Sequence, residues 1–188
     1  MNDVITTAAA DLWAAHLDRS PIAPLTESYP NFVVPQAYAV QQINLQRRLA
    51  TGSALVGRKI GLTSKPMQTL LGVDEPDFGY LLDDMVLSEV ADTAQFCAPL
   101  VEPEVAFLLR NALRGPGVTV ADVYAATEAV AVALEIVDSR IADWKLTLPD
   151  TVADNASSGA VALGDWVTYT ADLALPHAHA ALHLNGSE

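Results

Sequence analysis

The sequence predicts an α+β protein in which two N-terminal helices precede a mixed, strand-rich body. Apolar residues recur at helical spacing near the N-terminus, whereas later segments are β-branched and apolar runs separated by Gly- and Pro-containing turns. Hydrophobic residues make up 51% of the 188 residues, which is enough for a core. We place an N-terminal helical lobe at residues 1–55 and the strand-rich body at residues 56–188.

Two helices are predicted in the N-terminal lobe. Residues 3–18 carry an apolar stripe at helical spacing, and the prolines of "SPIAPL" end it. The second helix is predicted at residues 35–49, because Pro35 suits the first helical position and Gly52 can cap the end.

Strands dominate the predicted body. We expect a short helix at residues 65–71, ended by Gly72, and another that is capped by Thr119 or Asp122 and runs to Val130. The run "VAVALEIVDSRI" is apolar and β-branched and therefore predicts a buried strand, whereas "NASSG" predicts a loop. The predicted strands lie at residues 54–64, 78–87, 94–109, 130–141, 160–170 and 173–184.

Charge and hydropathy exclude several classes of function. The formal net charge of −13 argues against nucleic-acid binding, which needs a basic surface. No apolar run is long enough to span a bilayer and no secretory leader is visible, so we expect a soluble, cytoplasmic protein without a membrane partner. Cys97 is the only cysteine, which excludes an internal disulfide, and we expect it to be a buried, small apolar side chain.

Three glutamates form the strongest candidate for a functional site. Glu102 and Glu104 project from one face of the strand predicted for "VEPEVAFLL", because side chains alternate along a strand. Glu135 lies within the apolar run "AVALEIVDS", where burial of a lone carboxylate would be costly and would either shift its pKa or require a cation nearby. Three carboxylates suit a hard divalent ion such as Mg²⁺ or Mn²⁺ better than they suit Zn²⁺.

Other interpretations of these glutamates stay open on spacing alone. The first two could line a solvated face while the third pairs with Arg58, Arg110 or Arg140, and E-x-E is common enough for spacing to favour this alternative. A carboxylate pair for glycoside hydrolysis is weaker, since aromatic residues make up only 6% of the chain.

Three histidines form a second candidate for a metal site. His177, His179 and His183 share the parity of the strand predicted for "LALPHAHAALHL", so all three could face one way. We favour a polar strand face, because the sequence shows no carboxylates placed to orient the imidazoles.

Four segments in fixed order carry a family resemblance: "GRKIGLTS", "VEPEVAFLL", "ALEIVDSRIADWK" and "DTVADNASSGAVALG". Together they resemble the 2-keto-4-pentenoate hydratases (2-hydroxypenta-2,4-dienoate hydratases) of the fumarylacetoacetate hydrolase superfamily, which act in meta-cleavage pathways for aromatic compounds. The resemblance covers nearly the whole chain and implies a mixed β-roll with an N-terminal helical lobe. Members of that family continue past "LHLNGSE", so we expect the C-terminal part of the roll to be missing here.

The resemblance also implies roles for particular residues. It assigns Glu102, Glu104 and Glu135 as ligands of a divalent metal, Mg²⁺ or Mn²⁺. It places Lys59 at the active site, where an ammonium could stabilise the substrate anion or transfer a proton. Asp77 is the corresponding candidate for a general acid and base, although a turn residue after a proline is an equal alternative from the sequence.

Four further residues are candidates for substrate binding. Arg140 could bind a substrate carboxylate, or it could pair with Asp138 or Asp143. Hydrogen bonds to substrate could come from the polar side chains of "DNASSG", although the same residues are typical of turns. These side chains are Asn155, Ser157 and Ser158.

The activity implied by the resemblance is a hydro-lyase that adds water to 2-hydroxypenta-2,4-dienoate to give 4-hydroxy-2-oxopentanoate. The nearest alternative is a 4-oxalocrotonate decarboxylase with the same metal and motifs. A C–C hydrolase of the acylpyruvate type is less favoured, because His16 on a predicted helix is a poor match for its histidine. The remaining alternative is a non-catalytic, truncated partner subunit. We also expect a homo-oligomer and association with an aldolase or decarboxylase of the same pathway.

Overall fold

The structure is a computed structural model, and it describes residues 2–88 and 90–186. Three helices form the N-terminal lobe: α1 (Asn2–Asp18), α2 (Leu25–Ser28) and α3 (Val34–Ala50). Apolar side chains of α1 and α3 pack together with Ile141 and Val152, which come from the body. The lobe boundary at residue 55 stays a prediction, because this core includes residues from both sides of it.

The body contains seven strands and three short helices. The strands are β1 (Leu55–Gly61), β2 (Asp77–Leu82), β3 (Val86–Leu87), β4 (Leu100–Leu109), β5 (Thr127–Val137), β6 (Ser158–Leu163) and β7 (Val167–Thr168). The helices are α4 (Lys65–Leu71), α5 (Val120–Ala126) and α6 (Leu148–Ala153). Ser64 caps α4, which ends at Gly72 in the left-handed conformation.

The strands form two sheets. β1 and β2 make an antiparallel pair, and the larger sheet has the order β3-β6-β5-β4 with β7 paired to β5. The β3–β6 pair is parallel and the β4–β5 pair antiparallel, so the larger sheet is mixed. This arrangement confirms the predicted α+β class with mixed sheets, while the β-roll stays a prediction.

The long strand β4 is an edge strand of the larger sheet and carries Pro103 near its middle. Its side chains alternate, so one face carries the two glutamates and the other carries apolar side chains. The apolar face is open along β4 and β5, and Val132 is 73% exposed there. The exposed apolar side chains of this face are Val101, Val105, Phe107, Val132 and Leu134.

Several predicted elements differ from the structure. The helix after Thr119 ends at Ala126 rather than Val130, because the β-branched run that follows joins the central strand β5. The sequence analysis missed the short helices α2 and α6. The strand predicted at residues 94–109 begins only at residue 100, after a 3₁₀ turn.

The last predicted strand, at residues 173–184, is wrong. The segment instead forms 3₁₀ turns at Ala171–Leu173 and Leu175–His177 and is largely exposed. A proline within it interrupts strand pairing. The histidines there therefore do not share a strand face, and the described residues bring no metal-ligating group together around them.

No helix in the described ranges is both long and apolar enough to cross a membrane. Cys97 is a free thiol and is only half-buried, so the prediction that it is a buried side chain is not met.

Candidate metal centre

The three predicted metal ligands come together on one face of the larger sheet. Glu102 on β4 lies directly opposite Glu135 on β5, and Glu104 follows on the same face of β4. One carboxylate oxygen of each glutamate lies within 4.8 Å of the other two. Glu135 is buried and the other two are exposed, so solvent reaches the cluster from the β4 side.

Lys59 supplies a positive charge next to these carboxylates. Its Nζ lies 3.3 Å from Glu135 Oε1, and the two side chains are 10% and 9% exposed. Nζ also donates a hydrogen bond of 2.8 Å to the carbonyl of Ala156. The cation beside Glu135 is therefore this lysine, and not one of the three arginines considered from the sequence, which contact other groups.

Burial and mutual repulsion oppose ionisation of the cluster. Burial raises the pKa of Glu135, and the charge of Lys59 opposes that rise. Desolvation, followed by the charge of Glu102, raises the pKa of Glu104. Glu135 Oε1 accepts no hydrogen bond from the residues that the structure describes, so its contact with Lys59 is an ion pair without hydrogen-bond alignment. Such a cluster takes up a proton or a metal cation more readily than solvated carboxylates do.

Asp77 is the first residue of β2 and is 2% exposed, so it is a buried strand residue rather than a turn residue. Its Oδ2 accepts a 3.4 Å hydrogen bond from Thr151 Oγ1, whereas Oδ1 has no partner among the described residues. Burial raises the pKa of this carboxyl, and the charge of Lys59 opposes the rise. A buried carboxyl that holds its proton more tightly than usual is a candidate for proton transfer.

Two glycines make room for the lysine and the aspartate. A Cβ at Gly61 would lie 2.2 Å from Asp77 Oδ1 and 3.3 Å from Lys59 Nζ. A Cβ at Gly79 would lie 2.5 Å from the carbonyl oxygen of Asn155 and 2.9 Å from Lys59 Cγ. The sequence analysis missed both glycines. Gly61 lies two residues from Lys59 on β1, and Gly79 lies two residues from Asp77 on β2. The alternation of side chains along a strand could therefore have indicated that they lie on the same faces as these site residues.

The loop predicted at "NASSG" begins with a left-handed turn. Asn155, Ala156 and Ser157 have φ angles of 57°, 53° and 52°. This conformation costs a non-glycine residue about 1–2 kcal/mol. The side chain of Asn155 fastens the turn to β2, because its Oδ1 accepts from the N–H of Tyr80 at 2.8 Å and its Nδ2 donates to the Tyr80 carbonyl at 2.9 Å.

The two serines that follow are both buried. The Oγ of Ser157 lies 3.1 Å from Thr151 Oγ1 and so joins the hydrogen bonds around Asp77. Ser158 begins β6, and its Oγ has no hydrogen-bond partner among the described residues. Ser158 is therefore a predicted substrate-binding residue whose buried hydroxyl is available for a hydrogen bond to substrate.

Arg140 is buried in a network of ion pairs. Its Nε lies 2.5 Å from Asp154 Oδ1, and its Nη1 lies 3.3 Å from Asp138 Oδ2. The sequence left open whether it pairs with Asp138 or Asp143, and the structure shows Asp138. Asp143 instead lies beside the exposed Lys145.

A cavity of about 620 Å³ lies between the helical lobe and the sheet. The three glutamates and Lys59 do not line it, so the cavity and the carboxylate cluster are separate places in the described structure. They approach each other at the left-handed turn, since Asn155 lines the cavity and Ala156 contacts Lys59. Its lining also includes Trp13, Arg48, Tyr80, Phe96 and Ser158.

The carboxylate cluster fits a hard divalent cation. All three donors are oxygens, and the buried Glu135 contributes an oxygen that accepts no hydrogen bond. Lys59 alone does not balance three carboxylates, so a divalent ion would relieve both the repulsion and the burial cost. The donor set favours Mg²⁺, Mn²⁺ or Ca²⁺ over softer metals.

Comparison with solved structures defines the class of protein. The fold matches 4-oxalocrotonate decarboxylase from Pseudomonas putida G7 in a complex with magnesium and adipate, with a TM-score of 0.86 and 31% identity, over 89% of this chain and 65% of that one. The same enzyme complexed with calcium and acetate matches with a TM-score of 0.83 and 30% identity, over 89% of this chain and 64% of that one. In these two complexes the decarboxylase is thus bound to a divalent metal together with a carboxylate compound.

Curated relatives define the family more closely. The 2-hydroxyhexa-2,4-dienoate hydratase of Comamonas testosteroni is 45% identical over 186 residues, which are 97% of this chain and 70% of that protein. The 2-hydroxypent-2,4-dienoate hydratase of Pseudomonas putida is 47% identical over 165 residues, which are 86% of this chain and 74% of that protein. The chain therefore belongs to the 2-hydroxydienoate (2-keto-4-pentenoate) hydratase family.

The chain spans only part of the length of the relatives that it matches. It spans 59% of the 2-keto-4-pentenoate hydratase of Paraburkholderia xenovorans, to which it is 50% identical over 159 residues, or 84% of this chain. No family model matches the chain. The family assignment therefore rests on the relatives themselves.

Proposed function

We propose that this chain is a divalent-metal-dependent hydratase that adds water to 2-hydroxypenta-2,4-dienoate, forming 4-hydroxy-2-oxopentanoate in meta-cleavage catabolism of aromatic compounds. The observation that carries the proposal is the three-glutamate cluster beside Lys59, in a chain 45% identical to a dienoate hydratase. Because the chain spans only part of several relatives, its activity without further sequence is part of the proposal.

The reaction makes two chemical demands. The substrate is an enol, and its protonation at C5 gives a ketone conjugated to the C3–C4 double bond. Water must then add to the electrophilic C4, with a proton added at C3. When bound, Mg²⁺ or Mn²⁺ would polarise the 2-oxygen and offset enolate charge. Glu102, Glu104 and Glu135 would hold the cation against the open side of the sheet.

Lys59 would stabilise the negative charge of the substrate, and Asp77 would transfer a proton. The Ala156 carbonyl holds the Lys59 ammonium, which is proposed to stabilise the substrate anion. Asp77 has a raised pKa and an uncommitted Oδ1, so it is proposed to give and take the proton that ketonisation moves.

The residues around the left-handed turn are proposed to complete the site. The buried hydroxyl of Ser158 has no partner within the described ranges and would donate a hydrogen bond to the substrate. Asn155 and Ser157 would contribute mainly by holding the turn in place, since their side chains already bond Tyr80 and Thr151. Arg140 remains a candidate for substrate contact only if its bonds to Asp138 and Asp154 break.

An ultraviolet assay tests the proposal directly. Consumption of 2-hydroxypenta-2,4-dienoate is followed with added Mn²⁺, with added Mg²⁺ and after chelation, and the product is identified by mass spectrometry. We expect metal-dependent formation of 4-hydroxy-2-oxopentanoate. Substrate consumption that is equally fast after chelation would reject the metal-dependent mechanism.

A decarboxylase is the second candidate, because the two solved structures described above are of a 4-oxalocrotonate decarboxylase and match with TM-scores of 0.86 and 0.83. Release of carbon dioxide from 4-oxalocrotonate, without hydration of the dienoate, would favour it. Metal binding without either reaction would instead favour a non-catalytic partner subunit.

Assembly and location are also proposals. The exposed apolar face along β4 and β5 supports self-association into a homo-oligomer, which light scattering of the purified chain would test. Association with a pathway aldolase or decarboxylase would show as co-migration of the two purified proteins. The free Cys97 thiol is consistent with the proposed cytoplasmic location.

A further inference from the structure

Arg140 donates hydrogen bonds to the residues on both sides of the left-handed turn at 155–157. Its Nη2 donates to the carbonyl of Asp154, just before the turn, at 2.8 Å. Its Nη1 donates to the carbonyl of Ser158, just after the turn, at 3.2 Å. The Nε and the backbone N–H of Arg140 bind the two carboxylate oxygens of Asp154, at 2.5 and 2.9 Å. The guanidinium therefore bridges the two ends of the turn.

The turn needs this support because its backbone is strained. Three successive non-glycine residues have positive φ, and such conformations persist only where the surrounding structure holds them. The Ser157 carbonyl accepts a 2.8 Å hydrogen bond from the N–H of Asp138, whose carboxylate in turn receives Arg140 Nη1. The side chains of Asn155 and Ser157 tie the turn to Tyr80 and Thr151, and the backbone hydrogen bonds at its two ends lead back to Arg140.

The turn holds Lys59 in its place. The Ala156 carbonyl, in the middle of the turn, accepts the 2.8 Å hydrogen bond from Lys59 Nζ, which lies 3.3 Å from Glu135 Oε1. If the turn relaxes from the left-handed conformation, this carbonyl moves and the lysine loses its fixed acceptor. A residue that controls the turn thus controls the position of the ammonium.

We propose that Arg140 is a positioning residue that acts on Lys59 through the turn at 155–157, and that it does not bind the substrate carboxylate. All three of its side-chain nitrogens already donate to Asp154, Asp138 or the Ser158 carbonyl, and the residue is only 6% exposed. The importance of Lys59 rests on the proposed hydratase function, but the test below needs no turnover.

Backbone hydrogen–deuterium exchange of Arg140→Gln tests the proposal. The N–H of Ser157 donates to the Asp154 carbonyl at 3.0 Å, and the N–H of Tyr80 donates to Asn155 Oδ1 at 2.8 Å. We expect both amides to exchange roughly tenfold faster or more, because loss of charge-assisted hydrogen bonds lets the turn open locally. Amides within α3 should change little.

The matched control for charge removal is Arg48→Gln. Arg48 also forms an ion pair with an aspartate, Asp84, but lies on α3 and has no hydrogen bond to the turn. This variant should leave exchange at Ser157 and Tyr80 unchanged.

Ala156→Gly separates relief of backbone strain from general loss of contacts. Glycine adopts positive φ without the steric penalty, so Ala156→Gly combined with Arg140→Gln should recover most of the protection at Ser157. Ala174 also has a left-handed φ, of 44°, but lies far along the chain from the turn. Ala174→Gly is therefore the control, and it should give no recovery.

Two results would overturn the proposal: unchanged exchange at the turn in Arg140→Gln, or uniform acceleration of all amides that Ala156→Gly does not relieve. If Arg140→Gln does not fold, Arg140→Lys keeps the charge but loses the planar fork, and the same predictions apply to it. Failure of the proposed function would look different, because the unsubstituted chain would then show normal exchange but no turnover.

Discussion

Glu102 lies directly opposite Glu135 on adjacent antiparallel strands, and Glu104 extends the same cluster. Like charges in directly opposed positions destabilise a sheet, and here the Lys59 ammonium contacts one of the two, Glu135. The sheet therefore carries a repulsion that a divalent cation would relieve. Metal binding to this chain should be visible as an increase in thermal stability, whether or not the chain turns over substrate.

Replacing Glu135 with glutamine should abolish this stabilisation. Mn²⁺ at 100 times its Kd stabilises a folded protein by about 2.7 kcal/mol. We expect Mn²⁺ to raise the Tm of the unsubstituted chain but not that of Glu135→Gln, which loses the buried charged ligand while keeping its shape. Metal-dependent turnover should disappear with it. Differential scanning fluorimetry with and without Mn²⁺ measures the first effect.

Glu128→Gln is the matched control, because Glu128 lies on the same strand with an exposed side chain. It should respond to Mn²⁺ like the unsubstituted chain. An undiminished Mn²⁺ response in Glu135→Gln would remove Glu135 from the set of ligands.

Lys59→Met should destabilise the metal-free chain, by roughly 3 kcal/mol, because it leaves buried carboxylates without their cation. Mn²⁺ would then supply the missing positive charge, so its stabilising effect should be larger in Lys59→Met than in the unsubstituted chain. Chemical denaturation at several Mn²⁺ concentrations measures both quantities. Lys145→Met, which removes an exposed lysine beside Asp143, should change neither. An equal Mn²⁺ effect in Lys59→Met and the unsubstituted chain would contradict the predicted competition.

The stability of the metal-free chain should fall as the pH rises through the raised pKa values of Asp77, Glu104 and Glu135. Their ordinary values are 3.8 for the aspartate and 4.5 for the glutamates. Between those values and the raised ones, the folded chain binds more protons than the unfolded chain, so that each step up in pH costs stability. Above the raised values the cost is fully present.

Metal binding should show the opposite dependence on pH. The ligands must be ionised, so the apparent affinity for Mn²⁺ should fall as the pH falls through the same range. Melting temperatures across about pH 4–8, with and without Mn²⁺, would show the two trends diverging. A Mn²⁺-induced shift in Tm that stays constant with pH would speak against carboxylate ligands with raised pKa values.

Gly61→Ala should disturb Asp77 through steric contact alone. The new Cβ would lie 2.2 Å from Asp77 Oδ1, and we expect a loss of about 1–3 kcal/mol in unfolding free energy, because the buried carboxyl cannot move aside without cost. Gly57→Ala is the control on the same strand, since the nearest atom to its Cβ would be Leu81 Cδ1 at 3.6 Å. Equal stability of the two variants would show that Asp77 can move away freely.

Period-two spacing was enough to predict that Glu102 and Glu104 face one way, because alternation along a strand is a local rule. The register that sets Glu135 opposite Glu102 was not predictable from spacing, since pairing depends on the turns and on the whole sheet. The same holds for Lys59, which reaches the cluster from the smaller sheet. The resemblance to known hydratases supplied what local rules could not.

Other errors have local causes. The strand predicted around His179 is wrong, because the proline in that segment favours a 3₁₀ turn over the strand that the alternation of side chains suggests. The three left-handed residues beginning at Asn155 could not be foreseen, since alanine and serine disfavour positive φ and tertiary contacts, among them those of Arg140, Tyr80 and Thr151, support it there.

Pro103 sits between the two exposed glutamates on an edge strand, and it has no N–H to donate. A proline is tolerated in an edge strand because the missing donor can face outward. A strand from another molecule that paired with β4 would therefore lack one backbone hydrogen bond at Pro103 and would lie beside two negative charges. The same short motif that carries two glutamates of the carboxylate cluster thus also disfavours fibril-like growth along this edge of the described sheet.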